Sequence, residues 1–277
     1  MLNNFIIDEH IKSALKEDIN FWDITTDYIT DKDDKMSLYL KTRQDGILAG
    51  IDVFKRVFEI LDNTLEIELY FNDGDEISKG DVLAKIEGCA NSILKGERTA
   101  LNYVQRMSGI ATETNKYKKA IESYKAVISD TRKTTPNFRL FEKYSVLMGK
   151  GSLHRFNLTD CVMLKDNHIA FLGSITNAVA KVREKLSHTH KIEVECDTLS
   201  QVKEALDCKV DIIMLDNMSL DEIKKACEMI EGRAIVEVSG NVNLNSIEDI
   251  AKCGVDIISS SAIVAKAYPL DLGLDKK

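Results

Sequence analysis

The sequence predicts a parallel α/β fold, either a barrel or a doubly wound sheet, preceded by a smaller α+β domain. Three observations carry this. Short β-branched runs recur roughly every 20 residues through the C-terminal half. Helical patterns with their own start signals separate them. The runs are apolar on both faces, as strands covered by helices must be.

The N-terminal part reads as α+β. Lys35–Thr42, Gly46–Gly50, Leu65–Phe71 and Val82–Glu87 have strand character, and Ile51–Asn63 has helical periodicity. The clusters Asn72-Asp73-Gly74-Asp75 and Ser78-Lys79-Gly80-Asp81 are turns. A long helical stretch, Asn91–Tyr124, leads into the second part. There the strands are Ala126–Ser129, Cys161–Leu164, Ile192–Glu195, Asp211–Leu215, Ala234–Val238 and Val255–Ile258. Thr198 and Ser219 announce helices Gln201–Leu206 and Leu220–Ile230, and Asn243 and Asn245 precede Ile247–Lys252. Gly254 stands where a helix ends in a left-handed residue. The apolar segment Tyr268–Leu272 is expected to dock back onto the first domain.

Composition excludes several classes. With 44% hydrophobic and 30% charged residues among 277, the chain is ordinary globular protein, long enough for a large core or a large and a small domain. A net charge of −8 argues against general nucleic-acid binding. No run approaches the roughly 18 apolar residues of a membrane span. Met1–Leu15 carries Asp8 and Glu9 and lacks the apolar core of a signal peptide. Six scattered cysteines, with no CxxC pair, are expected to be reduced thiols of a cytoplasmic protein.

The residues just beyond each strand point to function. The first strand leads into Asp130-Thr131-Arg132-Lys133-Thr134-Thr135-Pro136 and the second into Lys165-Asp166-Asn167-His168. The third ends at Glu195, the fourth at Asp216-Asn217, the fifth at Ser239-Gly240 and the sixth at Ser259-Ser260-Ser261. His154-Arg155 comes from the loop before the second strand. In parallel barrels these carboxyl ends converge on the active-site face. Taken singly, each residue has an ordinary reading: a solvated lysine, a helix-capping Glu195 or Asp216, a simple Ser-Gly turn. His188 and His190 read as surface residues. It is the recurrence at all six strand ends that implies one anion-binding site. Arginine and lysine match carboxylates and phosphates. Ser-Gly and Ser-Ser turns opening onto helices suit a phosphate. Carboxylates amid such cations suit Mg²⁺, which takes one or two carboxylates plus substrate oxygens.

Several motifs resemble those of the quinolinate phosphoribosyltransferases. They are Gly96-Glu97-Arg98-Thr99-Ala100-Leu101-Asn102, Ser108-Gly109-Ile110-Ala111-Thr112, Asp130–Pro136, His154–Leu158, Leu164–His168 and Glu193-Val194-Glu195-Cys196. The likeness runs end to end. It implies an incomplete six-stranded parallel α/β barrel over residues 109–266. Beside it would stand a smaller N-terminal sandwich over 1–108, completed by the tail 267–277. It also implies a reaction. Quinolinate and phosphoribosyl pyrophosphate would give nicotinate mononucleotide, pyrophosphate and carbon dioxide, a step of NAD biosynthesis. By the resemblance, Arg132, His154, Arg155, Lys165 and His168 form the quinolinate pocket. Arg98 is donated across a homodimer interface. Lys133, Glu195 and Asp216 hold ribose, pyrophosphate and Mg²⁺, while Ser239, Gly240, Ser260 and Ser261 hold the 5′-phosphate. Lys133, Lys165, Glu195 and Asp216 carry the catalysis. Asn241 and Ser261 depart from the family pattern, each standing where glycine is usual.

Two rivals remain at this level. One is a related phosphoribosyltransferase that does not decarboxylate. The other is a biotinyl or lipoyl carrier module, suggested by Gly74–Leu83, although no Met-Lys-Met stands there.

Overall fold

A computed structural model describes residues 2–276. The elements run α1 (Asn4–Asp18), α2 (Ile24–Ile29), β1 (Lys35–Thr42), β2 (Gly46–Ile47), α3 (Ile51–Leu61), β3 (Glu66–Leu69), β4 (Glu76–Ile77), β5 (Val82–Cys89) and α4 (Ala90–Ala120). They continue through β6 (Val127–Ser129), α5 (Arg139–Met148), β7 (Val162–Leu164), α6 (Asp166–Leu172), α7 (Ile175–Arg183), β8 (Ile192–Cys196), α8 (Leu199–Asp207) and β9 (Ile212–Asp216). Last come α9 (Leu220–Ile230), β10 (Ile235–Ser239), α10 (Ile247–Lys252), β11 (Ile257–Ser259), α11 (Ala262–Ala265) and β12 (Leu272–Asp275).

Two compact units result. The first holds residues up to 115, 136–150 and 267 onward; the second holds 116–135 and 151–266. Residues 109–115 and 136–150 thus pack with the first unit, although the sequence assigns them to the barrel. In the first unit an antiparallel sheet runs β12-β1-β5-β3, with a separate β2-β4 pair. Its core joins Ile7, Ile11 and Leu15 of α1, Phe54, Val57 and Phe58 of α3, and Ile93, Val104 and Met107 of α4. The tail docks as expected: Leu40 pairs with Leu274 and Thr42 with Leu272. Before β12, the Leu270 N–H donates to the Gln105 carbonyl at 2.9 Å. Gly109 makes this approach possible, since a Cβ there would lie 2.0 Å from the Tyr268 carbonyl oxygen.

Some expectations fail for physical reasons. The strand expected over 46–50 stops at Ile47, because Gly50 turns left-handed (φ 89°) and opens α3. Helix α10 spans Ile247–Lys252 as expected, but its N-cap residue is Ser246, whose side chain makes no cap bond. Helices α1 and α2 come without a periodicity-based expectation, yet both carry start signals. Asn3 accepts from the Phe5 N–H and Asp23 from the Thr26 N–H, as N-caps do.

The second unit is the six-stranded parallel barrel, ordered β6-β11-β10-β9-β8-β7. Sequence neighbours β6 and β7 do not pair with each other, so the barrel is incomplete. Thr198 with Gln201 and Ser219 with Glu222 close capping boxes on α8 and α9. Gly254 adopts φ 84° after α10, as expected. Alternate strand residues share a face. The pairs Glu193/Glu195, Met214/Asp216 and Glu237/Ser239 therefore each stack along one face of their strand.

Candidate active site

A cavity of about 440 Å³ opens at the carboxyl ends of the barrel strands. Arg132 and Lys133 reach it from the loop after β6, and His154 and Arg155 from the loop before β7. Lys165 enters at the end of β7, Glu195 on β8, Asp216 on β9, Ser239 on β10 and Ser259 on β11. Thr131, Met163 and Met214 complete the wall. Eight of the expected site residues are thereby brought together. Four of the lining residues are cations and two are carboxylates, a balance that favours anions.

Neither carboxylate caps a helix, because Thr198 and Ser219 do that work. Glu195 instead forms an ion pair with the Lys165 ammonium. Asp216 accepts from the Asn217 side-chain amide at 2.6 Å, and the Asn217 amide oxygen accepts from Asn241 Nδ2 at 3.0 Å. Asn241 sits at φ 52°, a left-handed position where asparagine is the best substitute for glycine. Gly240 beside it, at φ 92°, has no such latitude: a Cβ would lie 2.2 Å from the Asn217 amide oxygen.

Other expected residues lie off the cavity wall. Arg98 is exposed on α4 in the first unit. The His168 Nδ1 accepts the Lys165 N–H at 3.0 Å and so closes the start of α6. Ser260 is buried, its hydroxyl donating to the Val242 carbonyl at 3.3 Å and accepting the Ala262 N–H at 3.2 Å. Ser261 is the N-cap residue of the short helix α11, with no side-chain cap bond. His188 and His190 are exposed, as expected.

Sequence reasoning missed the buried carboxylates packed behind His154. Asp130, fully buried after β6, accepts the His154 backbone N–H at 2.8 Å. Glu193 and Glu237 are buried beside the His154 ring. Burial, with Glu193 alongside, pushes the Glu237 carboxyl above the usual carboxylate range. The signal was present: each glutamate stands two residues before a cavity residue on its own strand, hence on the same face.

Residues 23–108 match the N-terminal domain of quinolinate phosphoribosyl transferase, and residues 110–275 its C-terminal domain. A probable carboxylating nicotinate-nucleotide pyrophosphorylase of Methanothermobacter thermautotrophicus is 39% identical over 275 residues, covering 96% of this chain and 97% of its own. The Synechocystis protein of the same name is 40% identical, with 97% of this chain and 92% of its own covered. Among solved structures, NadC from Streptococcus pyogenes superposes with a TM-score of 0.96 at 42% identity, over 100% of this chain and 98% of the other. Matched along nearly its whole length in both domains, the chain belongs to the quinolinate phosphoribosyl transferase family.

Proposed function

We propose that this enzyme transfers the phosphoribosyl group of 5-phosphoribosyl 1-pyrophosphate to quinolinate with decarboxylation, giving nicotinate mononucleotide, pyrophosphate and carbon dioxide. The observation that carries the reading is the cavity wall itself, where Arg132, Lys133, Arg155 and Lys165 converge with Glu195 and Asp216. A dicarboxylate and a phosphorylated co-substrate need that many cations; a lone carboxylate does not.

Arg132, Arg155 and Lys165 hold the two carboxylates of quinolinate, with His154 on the same wall and His168 beside Lys165. Lys133 meets the pyrophosphate. Ser239, Gly240, Ser260 and Ser261 bring the turns for the 5′-phosphate. The pyridine nitrogen attacks ribose C1 as the C1–oxygen bond to pyrophosphate breaks. Holding the two in line supplies much of the acceleration. The pyridinium so formed takes up the electron pair left at C2 when carbon dioxide departs, and a proton then replaces it.

Glu195 and Asp216 fit Mg²⁺: both are oxygen donors facing the cavity and neither is committed to a helix cap. Bound there with the pyrophosphate, the ion would neutralise charge on the leaving group.

The active unit in this reading is a homodimer. Phe21, Trp22, Ile24, Tyr28 and Ile29 are exposed in one short segment, as a surface awaiting a partner is. Asp27 of that segment is held by Asn91 and Lys95 of α4, and Arg98 is exposed about one turn further on. Arg98 of the partner subunit would then complete the acid pocket. All six thiols are free, consistent with a cytoplasmic enzyme, and among the described residues no helix is long and apolar enough to cross a membrane.

The test is direct incubation with quinolinate, phosphoribosyl pyrophosphate and Mg²⁺. Nicotinate mononucleotide should appear with equal amounts of pyrophosphate and carbon dioxide. Nicotinate, which leaves cationic donors unmatched, should be used less efficiently by on the order of 10⁴-fold. Equal use of nicotinate, or pyrophosphate without carbon dioxide, would assign the chain to a non-decarboxylating transferase.

A further inference from the structure

The wall residue His154 has both ring nitrogens turned to the protein. Its Nε2 lies 3.3 Å from Glu193 Oε1 and 3.5 Å from Glu237 Oε1. These carboxylates, on β8 and β10, are 1% and 2% exposed. The opposite nitrogen, Nδ1, accepts the backbone N–H of Arg155 at 2.8 Å. A nitrogen that accepts a hydrogen bond carries no proton, so the ring proton sits on Nε2 and points at the two glutamates. The His154 backbone N–H is fixed separately by the buried Asp130 carboxylate.

Spacing alone would allow a cation here, since ligand atoms of His154, Glu193 and Glu237 lie within 4.8 Å of one another. The hydrogen bond from Arg155 decides against it. It leaves the proton on the very nitrogen that a metal would need. It also links the ring to the next residue, whose guanidinium donates to the Cys161 carbonyl at 3.1 Å while lining the cavity. Glutamates, ring and arginine backbone thus form one continuous chain from the barrel interior to the site.

We propose that Glu193 and Glu237 are positioning residues of the acid pocket: they fix the His154 ring, and the ring fixes Arg155 through its backbone N–H. On this account His154 serves the substrate as a strut and contributes no positive charge. The proposal rests on reading the cavity as the quinolinate site.

Steady-state kinetics of Glu237→Leu and Glu237→Gln test it, with E193Q alongside. Glu237→Leu removes the buried carboxylate that faces Nε2 at 3.5 Å and should raise the KM for quinolinate on the order of 10- to 100-fold, as small misplacements of binding groups do. The KM for phosphoribosyl pyrophosphate should stay within about twofold, because the pyrophosphate side of the cavity keeps its own supports. Glutamine at 193 still accepts from Nε2–H, and glutamine at 237 keeps an oxygen beside it, so Glu237→Gln and E193Q should lie nearer the parent enzyme. The proposal is overturned if both KM values rise together, if only the active fraction falls, or if Gln is no better than Leu. A second measurement needs neither turnover nor a folded Glu237 variant. Ring-¹⁵N histidine spectra of the parent chain, with the His154 signal identified by its loss in His154→Gln, should show at neutral pH a protonated Nε2 and an accepting Nδ1. A doubly protonated ring, or a proton on Nδ1, overturns the strut. The expected tautomer in a chain that ignores quinolinate would uphold the strut and refute the substrate.

Discussion

At the scale of single residues, the carboxylate of Asp216 does not stand alone. Its partner Asn217 is tied to Asn241, the residue that replaces an expected glycine. If Asp216 holds Mg²⁺, the tie orients a ligand, and losing outer partners of this kind costs about 10- to 100-fold in metal affinity or activity. Titrating Mg²⁺ against rate should show a large rise in the requirement for Asp216→Asn and a smaller one for Asn241→Gly, with quinolinate binding in the absence of co-substrate unchanged. An unaltered Mg²⁺ requirement in Asp216→Asn would remove it from the metal site. Residues such as Asp216 were legible because they end a strand, where polarity is conspicuous. Glu193 and Glu237 carried the same signal two residues earlier on the same face, but nothing local ties a mid-strand carboxylate to the site rather than to a partner in the core. Inside a barrel one face of each strand lines a chamber, and its lining can be charged when partners lie across it.

Among the elements, strand positions were the most legible, because β-branched runs between capped helices have few alternatives. Helices α1 and α2 were not. On α1 the exposed Phe5 and Ile6 blur the polar side of a stripe that buries Ile7, Ile11 and Leu15, and on α2 Ile24, Tyr28 and Ile29 are exposed while Thr26 is buried. Helix α4 offers a test in which two rules oppose. Within a helix, Gly→Ala ordinarily gains about 1 kcal/mol. At Gly109 the added carbon would strike the Tyr268 carbonyl at 2.0 Å, and overpacking costs about 1–3 kcal/mol or more. Gly109→Ala should therefore be destabilised in urea, whereas stabilisation would show that the tail yields without cost.

For the molecule as a whole, the broad order of a smaller domain, a barrel and a returning tail was legible, but its seams were not. Helix α5 lies between two barrel strands in sequence and packs in the first unit. No local signal marks such an excursion, since its apolar face would suit either unit. Arg98→Ala and Lys133→Ala should each be nearly inactive alone. If Arg98 acts in trans, subunit exchange between them makes heterodimers with one intact site. Random reassortment then restores about a quarter of parent activity, half the dimers having one good site of two. Persistent inactivity after verified exchange would place Arg98 in its own subunit's chemistry or outside it.

The pairing of β12 with β1 also sets a timetable. Arg43, just after β1, bonds Asp271, 228 residues later. On the ribosome, the first sheet therefore emerges with one edge bare and stays so while the barrel is being synthesised. Barrel strands β7 to β11 pair with near neighbours in sequence and can form as they appear. The domain that begins the chain is thus the one that finishes last. Its open β1 edge during that interval is where a nascent or truncated chain is most exposed to pairing with another copy.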